Sequence, residues 1–207
     1  MILSTQVGKG NKMNIYGDGE FLFAVDCDTW YSLSYSDGDE LTAEEYDNIK
    51  NTANNRLAYA QALRFLTLRA HSSHELFLKL TKNHSKECAN FAIERCRELG
   101  FIDDGDFALR YAQELYNKKK YGKSRIIAEL KKKGIGTELI DTALDSLDFN
   151  ADLSILDIIE KKYSSCLNDE KGRRRMIAGL TRLGYSYSEI KSAISQIADT
   201  EDDYYEY

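Results

Sequence analysis

The apolar residues of this chain recur on two periods at once. The short period is helical: Ala58, Ala62, Phe65 and Leu66, or Ala89, Ala92, Ile93 and Cys96, fall three to four positions apart and line one face. The long period is fifty residues. Leu80, Leu130 and Leu180 share it, preceded at the same interval by Ser72, Gly122 and Gly172. Gly134 and Gly184, Ile140 and Ile190, and Ala143 and Ala193 continue the match, as do Arg125 with Arg175, Ile127 with Ile177 and Ala128 with Ala178. A period of this length marks a duplicated supersecondary unit. Stacked units build a long surface suited to a polymer or filament.

Each repeat reads as three helices. In the first, Ser72 and Glu75 form a capping box before Leu76, Leu78 and Leu80, and Ser85 caps the next helix. In the second, Phe107, Ala108 and Ala112 lie on the first helix and Ile126, Ile127 and Leu130 on the second, closed by Gly134; Ile140, Ala143, Leu144 and Leu147 form the third. The last repeat places Ile155, Ile158 and Ile159, then Met176, Ile177 and Leu180, then Ile190, Ala193, Ile194 and Ile197. The first fifty residues lie outside the period. KMNIY and EFLFAV read as two strands around Asp18-Gly19, with Phe21, Phe23 and Val25 on one face. Thr42 and Glu45 then cap a short helix over 43–50. The expected fold is therefore mostly α: a β-hairpin and short helix (1–53), three-helix repeats at 54–103, 104–149 and 150–198 in an elongated arc, and an acidic tail (199–207).

Charge divides the same way. Residues 1–104 carry 11 basic and 16 acidic side chains, 105–184 carry 16 and 12, and 185–207 carry 1 and 6. The middle is basic between acidic ends, and DTEDDYYEY reads as a solvated, disordered tail. Proline is absent, which favours long helices with glycine-marked turns. No apolar run reaches the ~18 residues of a membrane span, and the first twenty residues lack a signal-peptide core, so a cytoplasmic protein is expected. Cys27, Cys88, Cys96 and Cys166 contain no Cys-x-x-Cys pair; Cys88 and Cys96 share a helix face and read as core residues.

The chain offers little for catalysis. His71, His74, His84 and Cys88 lack paired metal-ligand spacing, and neither a P-loop, a nucleophile elbow nor a dinucleotide fingerprint occurs. No catalytic residue, metal or cofactor is expected. Asp103, Asp104 and Asp106 read as the acidic start of the helix carrying Phe107. The basic clusters are the candidate site. Lys118, Lys119 and Lys120, and Lys131, Lys132 and Lys133, end helices, where cations suit the helix dipole. Arg173, Arg174 and Arg175 read as beginning a helix after Gly172, with Lys123 and Arg125 at the matching place one repeat earlier; there a cation opposes the dipole, which points to an anionic partner, phosphate or acidic protein. Tyr111, Tyr116 and Tyr121 accompany this stretch and could stack on bases, but helical packing explains them more simply.

GFIDD at 100–104, Phe107-Ala108, Gly122, Arg125-Ile126, Glu129-Leu130 and Lys133-Gly134-Ile135 together resemble the central segment of the RecX family of bacterial regulatory proteins. AQALRFLTLRAHSSHELFLKL at 60–80 is similar to the family's first repeat, NIYGDGEFLFAV to its N-terminal hairpin, and RLGYS at 182–186 to its third repeat. The resemblance spans about residues 12–198. It implies a non-enzymatic monomer that binds the RecA recombinase filament on single-stranded DNA and restrains its ATPase, strand-exchange and co-protease activities. Two other readings remain beside it: direct nucleic-acid binding through 105–184, possible also as a weak additional contact, and a hydrolase whose carboxylates show no nucleophile–base pairing.

Overall fold

The computed structural model describes residues 1–167 and 169–203, with side chains described as far as Ile197. The chain divides into two compact units, Met1–Ile102 and Asp103–Tyr207. Among the described residues it is mostly helical, with ten α-helices and one small N-terminal sheet.

Unit 1 opens with three antiparallel strands in sequence order, β1 (Leu3–Val7), β2 (Lys12–Gly17) and β3 (Glu20–Asp26). The hairpin at Asp18-Gly19 forms as its residues require, with φ of 51° and 83°. Two expectations fail here. β1 is an additional strand, pairing Leu3 through Val7 with Gly17 through Met13; LSTQV is too polar to announce itself. Phe21 does not share a face with Phe23 and Val25. The β2–β3 register slips between Ile15 and Tyr16, so Ile15 pairs with Phe23 but Tyr16 with Phe21. The extra residue, Leu22, turns toward the core, while Phe21 is exposed and meets Tyr16 edge-on at 5.7 Å. A one-turn helix, α1 (Cys27–Tyr31), follows, capped by Asp26 and burying Trp30.

The short helix expected over 43–50 is the first third of α2 (Ala43–Leu68), a 26-residue helix that begins at the Thr42–Glu45 capping box and runs on as the first helix of the repeat. Its period is hidden for a geometric reason. Ile49 and Ala53 pack on the sheet core with Leu3, Met13, Ile15, Val25 and Trp30, whereas Ala58 and Ala62 pack on the next core. Nine residues at about 100° each place these two pairs on opposite sides of the helix. α3 (Ser73–Leu80) and α4 (Lys86–Glu98) complete that second core, in which Leu76, Leu80, Ala89, Ala92 and Cys96 are fully buried.

Unit 2 holds α5 (Asp104–Lys119), α6 (Lys123–Lys132) and α7 (Thr137–Asp145), then α8 (Ala151–Lys162), a 3-10 turn at Ser164–Cys166, α9 (Glu170–Arg182) and α10 (Tyr187–Asp203). The fifty-residue period is the period of burial: Leu80, Leu130 and Leu180 are each inaccessible to solvent. α10 continues to Asp203, so the first five residues of the expected tail are helical; residues 204–207 lie outside the described residues.

Candidate partner-binding surface

The second and third repeats, the two helix triplets of unit 2, meet through backbone. Gly122 N–H donates to the Leu183 carbonyl at 2.8 Å, and a Cβ on Gly122 would collide with the Gly184 backbone. Gly184, at φ 97°, has Arg125 against it, where a Cβ would lie 2.5 Å from the Arg125 backbone nitrogen. Around this contact the Tyr185 hydroxyl donates to the Lys120 carbonyl at 3.0 Å. Burial pushes the Tyr185 phenol up to about 12. The Tyr116 hydroxyl donates to Asn150 O at 3.2 Å and accepts from Asn150 N–H at 3.0 Å and Ser154 Oγ at 3.1 Å. The loop that carries the cations is therefore pinned from the third repeat.

That loop places the first basic group. α5 ends at Lys119, and Lys120 caps it in the left-handed region at φ 55°. Lys118 reaches Glu114 at 3.4 Å, and Lys119 is exposed. Lys120 Nζ approaches Asp157 at 3.8 Å, and the same carboxylate holds Lys161 at 2.5 Å. The bond from Lys161, aided by Lys120, holds the Asp157 carboxyl below the ordinary carboxylate range, and Asp157 in turn raises Lys161. Lys161 and Lys162, at the end of α8, thus join a site that sequence reading leaves without them; the signal was a pair of lysines ending a helix, too common to single out.

Lys123 opens α6, whose N-cap Gly122 has no side chain and whose first turn holds no acid. Its Nζ lies 5.2 Å from the Phe149 ring centroid. Arg125 is half-buried: it pairs with Glu129 at 3.1 Å, lies 5.4 Å from the Tyr121 ring and packs on Gly184. It serves the junction between repeats as much as any partner. Lys131, Lys132 and Lys133 stand at the far end of α6, about 15 Å along a ten-residue helix. Lys131 is exposed, Lys132 meets Glu129 at 3.0 Å, and Lys133 lies over Tyr111 at 5.4 Å.

The third group is displaced from its expected position. α9 starts at Glu170 with Asp169 as cap, its carboxylate accepting from Gly172 N–H at 2.7 Å. Arg173 therefore closes the first turn and Arg174 and Arg175 enter the second, so the trio does not begin the helix; the fifty-residue match aligned Gly172 with the caps Ser72 and Gly122, but about one extra turn precedes it here. Arg173 Nε donates to the Leu167 carbonyl at 2.7 Å, Arg174 pairs with Glu170, and Arg175 is exposed. The electrostatic cost inferred for this trio is largely relieved, because dipole effects fade within the first turn and Asp169 and Glu170 stand ahead of it. The eleven candidate cations thus form three groups along unit 2.

The remaining candidates are structural. Asp103 caps α5 by accepting from Gly105 and Asp106 N–H. His71 is buried, its Nδ1 bonded to the Arg69 carbonyl at 2.9 Å and its Nε2 to Lys79 Nζ at 2.7 Å, which requires the neutral ring. His84 meets Gln61 at 2.6 Å, and Cys88 and Cys96 are core residues. Among the described residues no group of His, Cys, Asp and Glu could hold a metal, and no helix is long and apolar enough to cross a membrane.

Residues 58–96 match the family model for the first three-helix domain of RecX, and residues 103–144 the model for its second three-helix domain. The Regulatory protein RecX of Chlorobium phaeobacteroides is 32% identical over 142 residues, covering 68% of this chain and 93% of that protein. The chain belongs to the RecX family. The Regulatory protein RecX of Caldanaerobacter subterraneus subsp. tengcongensis aligns over 90% of this chain and 94% of its own length at 26% identity. A crystal structure of regulatory protein RecX superposes with a TM-score of 0.73 over 94% of this chain and 98% of that one, at 23% identity, and RecX from Lactobacillus salivarius with 0.62 over 70% and 97%, at 21%.

Proposed function

We propose that this RecX-family chain is a non-enzymatic regulator that binds the RecA filament on single-stranded DNA and inhibits RecA ATPase, strand exchange and co-protease action in cytoplasmic DNA repair and recombination. The carrying observation is family membership through two three-helix domains and relatives, aligned over nine-tenths of both chains, that are named regulatory protein RecX. Three groups of cations spread along unit 2 support a contact with an extended anionic partner, and each group is fixed by local structure. RecA-catalysed ATP hydrolysis on single-stranded DNA, measured with substoichiometric amounts of this protein, should fall; undiminished hydrolysis at every ratio overturns the reading.

The second reading, direct binding to nucleic acid, draws on exposed Lys119 and Lys123, the latter over the half-buried ring of Phe149, and on Arg125 over that of Tyr121. A salt titration on single-stranded DNA without RecA distinguishes the two: direct phosphate binding weakens steeply with salt.

A further inference from the structure

We propose that Lys120 contacts an anionic group of the partner directly, and that Tyr185, on the third repeat, is the residue that positions it. Lys120 stands at φ 55°, and apart from Asp18 in the hairpin turn it is the one non-glycine residue in the left-handed region among the described residues. α4, α6 and α9 also hand over to a left-handed residue, and in each case it is glycine: Gly100, Gly134 and Gly184. A side chain is crowded in that conformation, and glycine escapes the cost. The helix dipole does not require the lysine either, because Lys118 and Lys119 already close α5. A lysine kept where the backbone disfavours it points to a use outside the fold.

The third repeat supplies what holds this turn. The Tyr185 hydroxyl donates to the Lys120 carbonyl at 3.0 Å, and two residues on Gly122 N–H donates to the Leu183 carbonyl at 2.8 Å. Tyr185 is buried, so its hydroxyl depends on protein partners of this kind. The side chain is held less firmly than the backbone. Lys120 Nζ lies 3.8 Å from Asp157, whose carboxylate Lys161 also holds, and the lysine side chain stays 42% exposed. A fixed backbone with a loosely paired ammonium group lets an incoming anion displace Asp157 with little left to order. The partner's identity rests on the proposed function: it is the RecA filament.

The test reads two quantities on the full chain: melting temperature, and binding to RecA filaments preassembled on single-stranded oligonucleotide. Lys120→Gly should raise the melting temperature and yet weaken binding about fivefold or more, opposite signs that a purely structural lysine does not give. Lys120→Asn, which tolerates the same φ, should weaken binding as much. Tyr185→Phe should weaken binding in the Lys120 chain and add nothing in the Lys120→Gly background, where no ammonium group remains to be positioned. Failure of the unaltered chain to bind filaments overturns the proposed function and this role for Lys120 with it. Binding by the unaltered chain that Lys120→Gly and Lys120→Asn leave unchanged overturns the contact alone. A melting temperature lowered by Lys120→Gly overturns the reading that the lysine is kept against the backbone's preference. Equal losses from Tyr185→Phe in both backgrounds overturn Tyr185 as the positioning residue.

Discussion

At the residue scale, single atoms decide how the repeats meet. Gly122 is buried and abuts the Gly184 backbone, which cannot retreat without breaking the hydrogen bond to Leu183. Gly122→Ala should therefore cost about 1–3 kcal/mol in denaturant unfolding. Gly136, which caps α7 with open space around its Cβ position, is the control: Gly136→Ser should be neutral or slightly stabilising, since serine can cap. His71 gives a pH dependence. Desolvation, helped by the nearby Arg69 and Lys79 charges and opposed by the Arg69 carbonyl and Glu75, lowers its pKa below 6.5. The unfolded chain then takes up the proton first, so stability is full above about pH 6.5 and declines as pH falls from there to the folded pKa. The melting temperature should drop over that window, and His71→Gln, whose amide oxygen can still accept from Lys79, should flatten the drop.

At the element scale, helix starts and helix continuity matter more than charge counts. Because Arg173 ties α9 to the preceding turn through the Leu167 carbonyl, Arg173→Gln should destabilise by about 0.5–1.5 kcal/mol. Arg174→Gln removes an exposed pair with Glu170 and should change stability by less than about 0.5 kcal/mol. The comparison is direct by thermal melting of the two variants. α2 is the longer lever. It serves the sheet core on one side and the three-helix core on the other, so Asn54→Pro, at the crossover, should cost about 3 kcal/mol. It should also separate two signals that otherwise coincide: the fluorescence of Trp30, the chain's sole tryptophan, reports the sheet core, and far-UV ellipticity reports the helices.

At the scale of the whole molecule, the fifty-residue period carries the fold, and charge carries the proposed contacts. Basic α6 is followed by acidic α7 and α8, then by basic α9. Neutralising Lys118, Lys119 and Lys123 to Gln leaves the cores untouched, since all three are exposed. Filament affinity should fall, and if the contacts are to DNA phosphates the slope of log K against log salt should flatten by about 2, at roughly 0.7 per contact. An unchanged slope with reduced affinity would place the contact on protein carboxylates.

The sequence by itself determined the three-helix repeats and their buried Leu80, Leu130 and Leu180, because helical amphipathicity is local and a fixed period repeats it. It determined the capping boxes and the Asp18-Gly19 turn for the same reason: each is settled within four residues. It named the cations but not their state. Only tertiary structure decided that Arg125 packs on Gly184 and Lys120 shares Asp157 with Lys161, because those contacts join residues some forty to sixty positions apart. It also decided that α2 runs unbroken, since a helix facing two cores on opposite sides loses the single apolar stripe that would reveal it. The strand β1, polar in sequence, forms because Leu3 fills the sheet core and its backbone finds β2, a pairing no local pattern encodes.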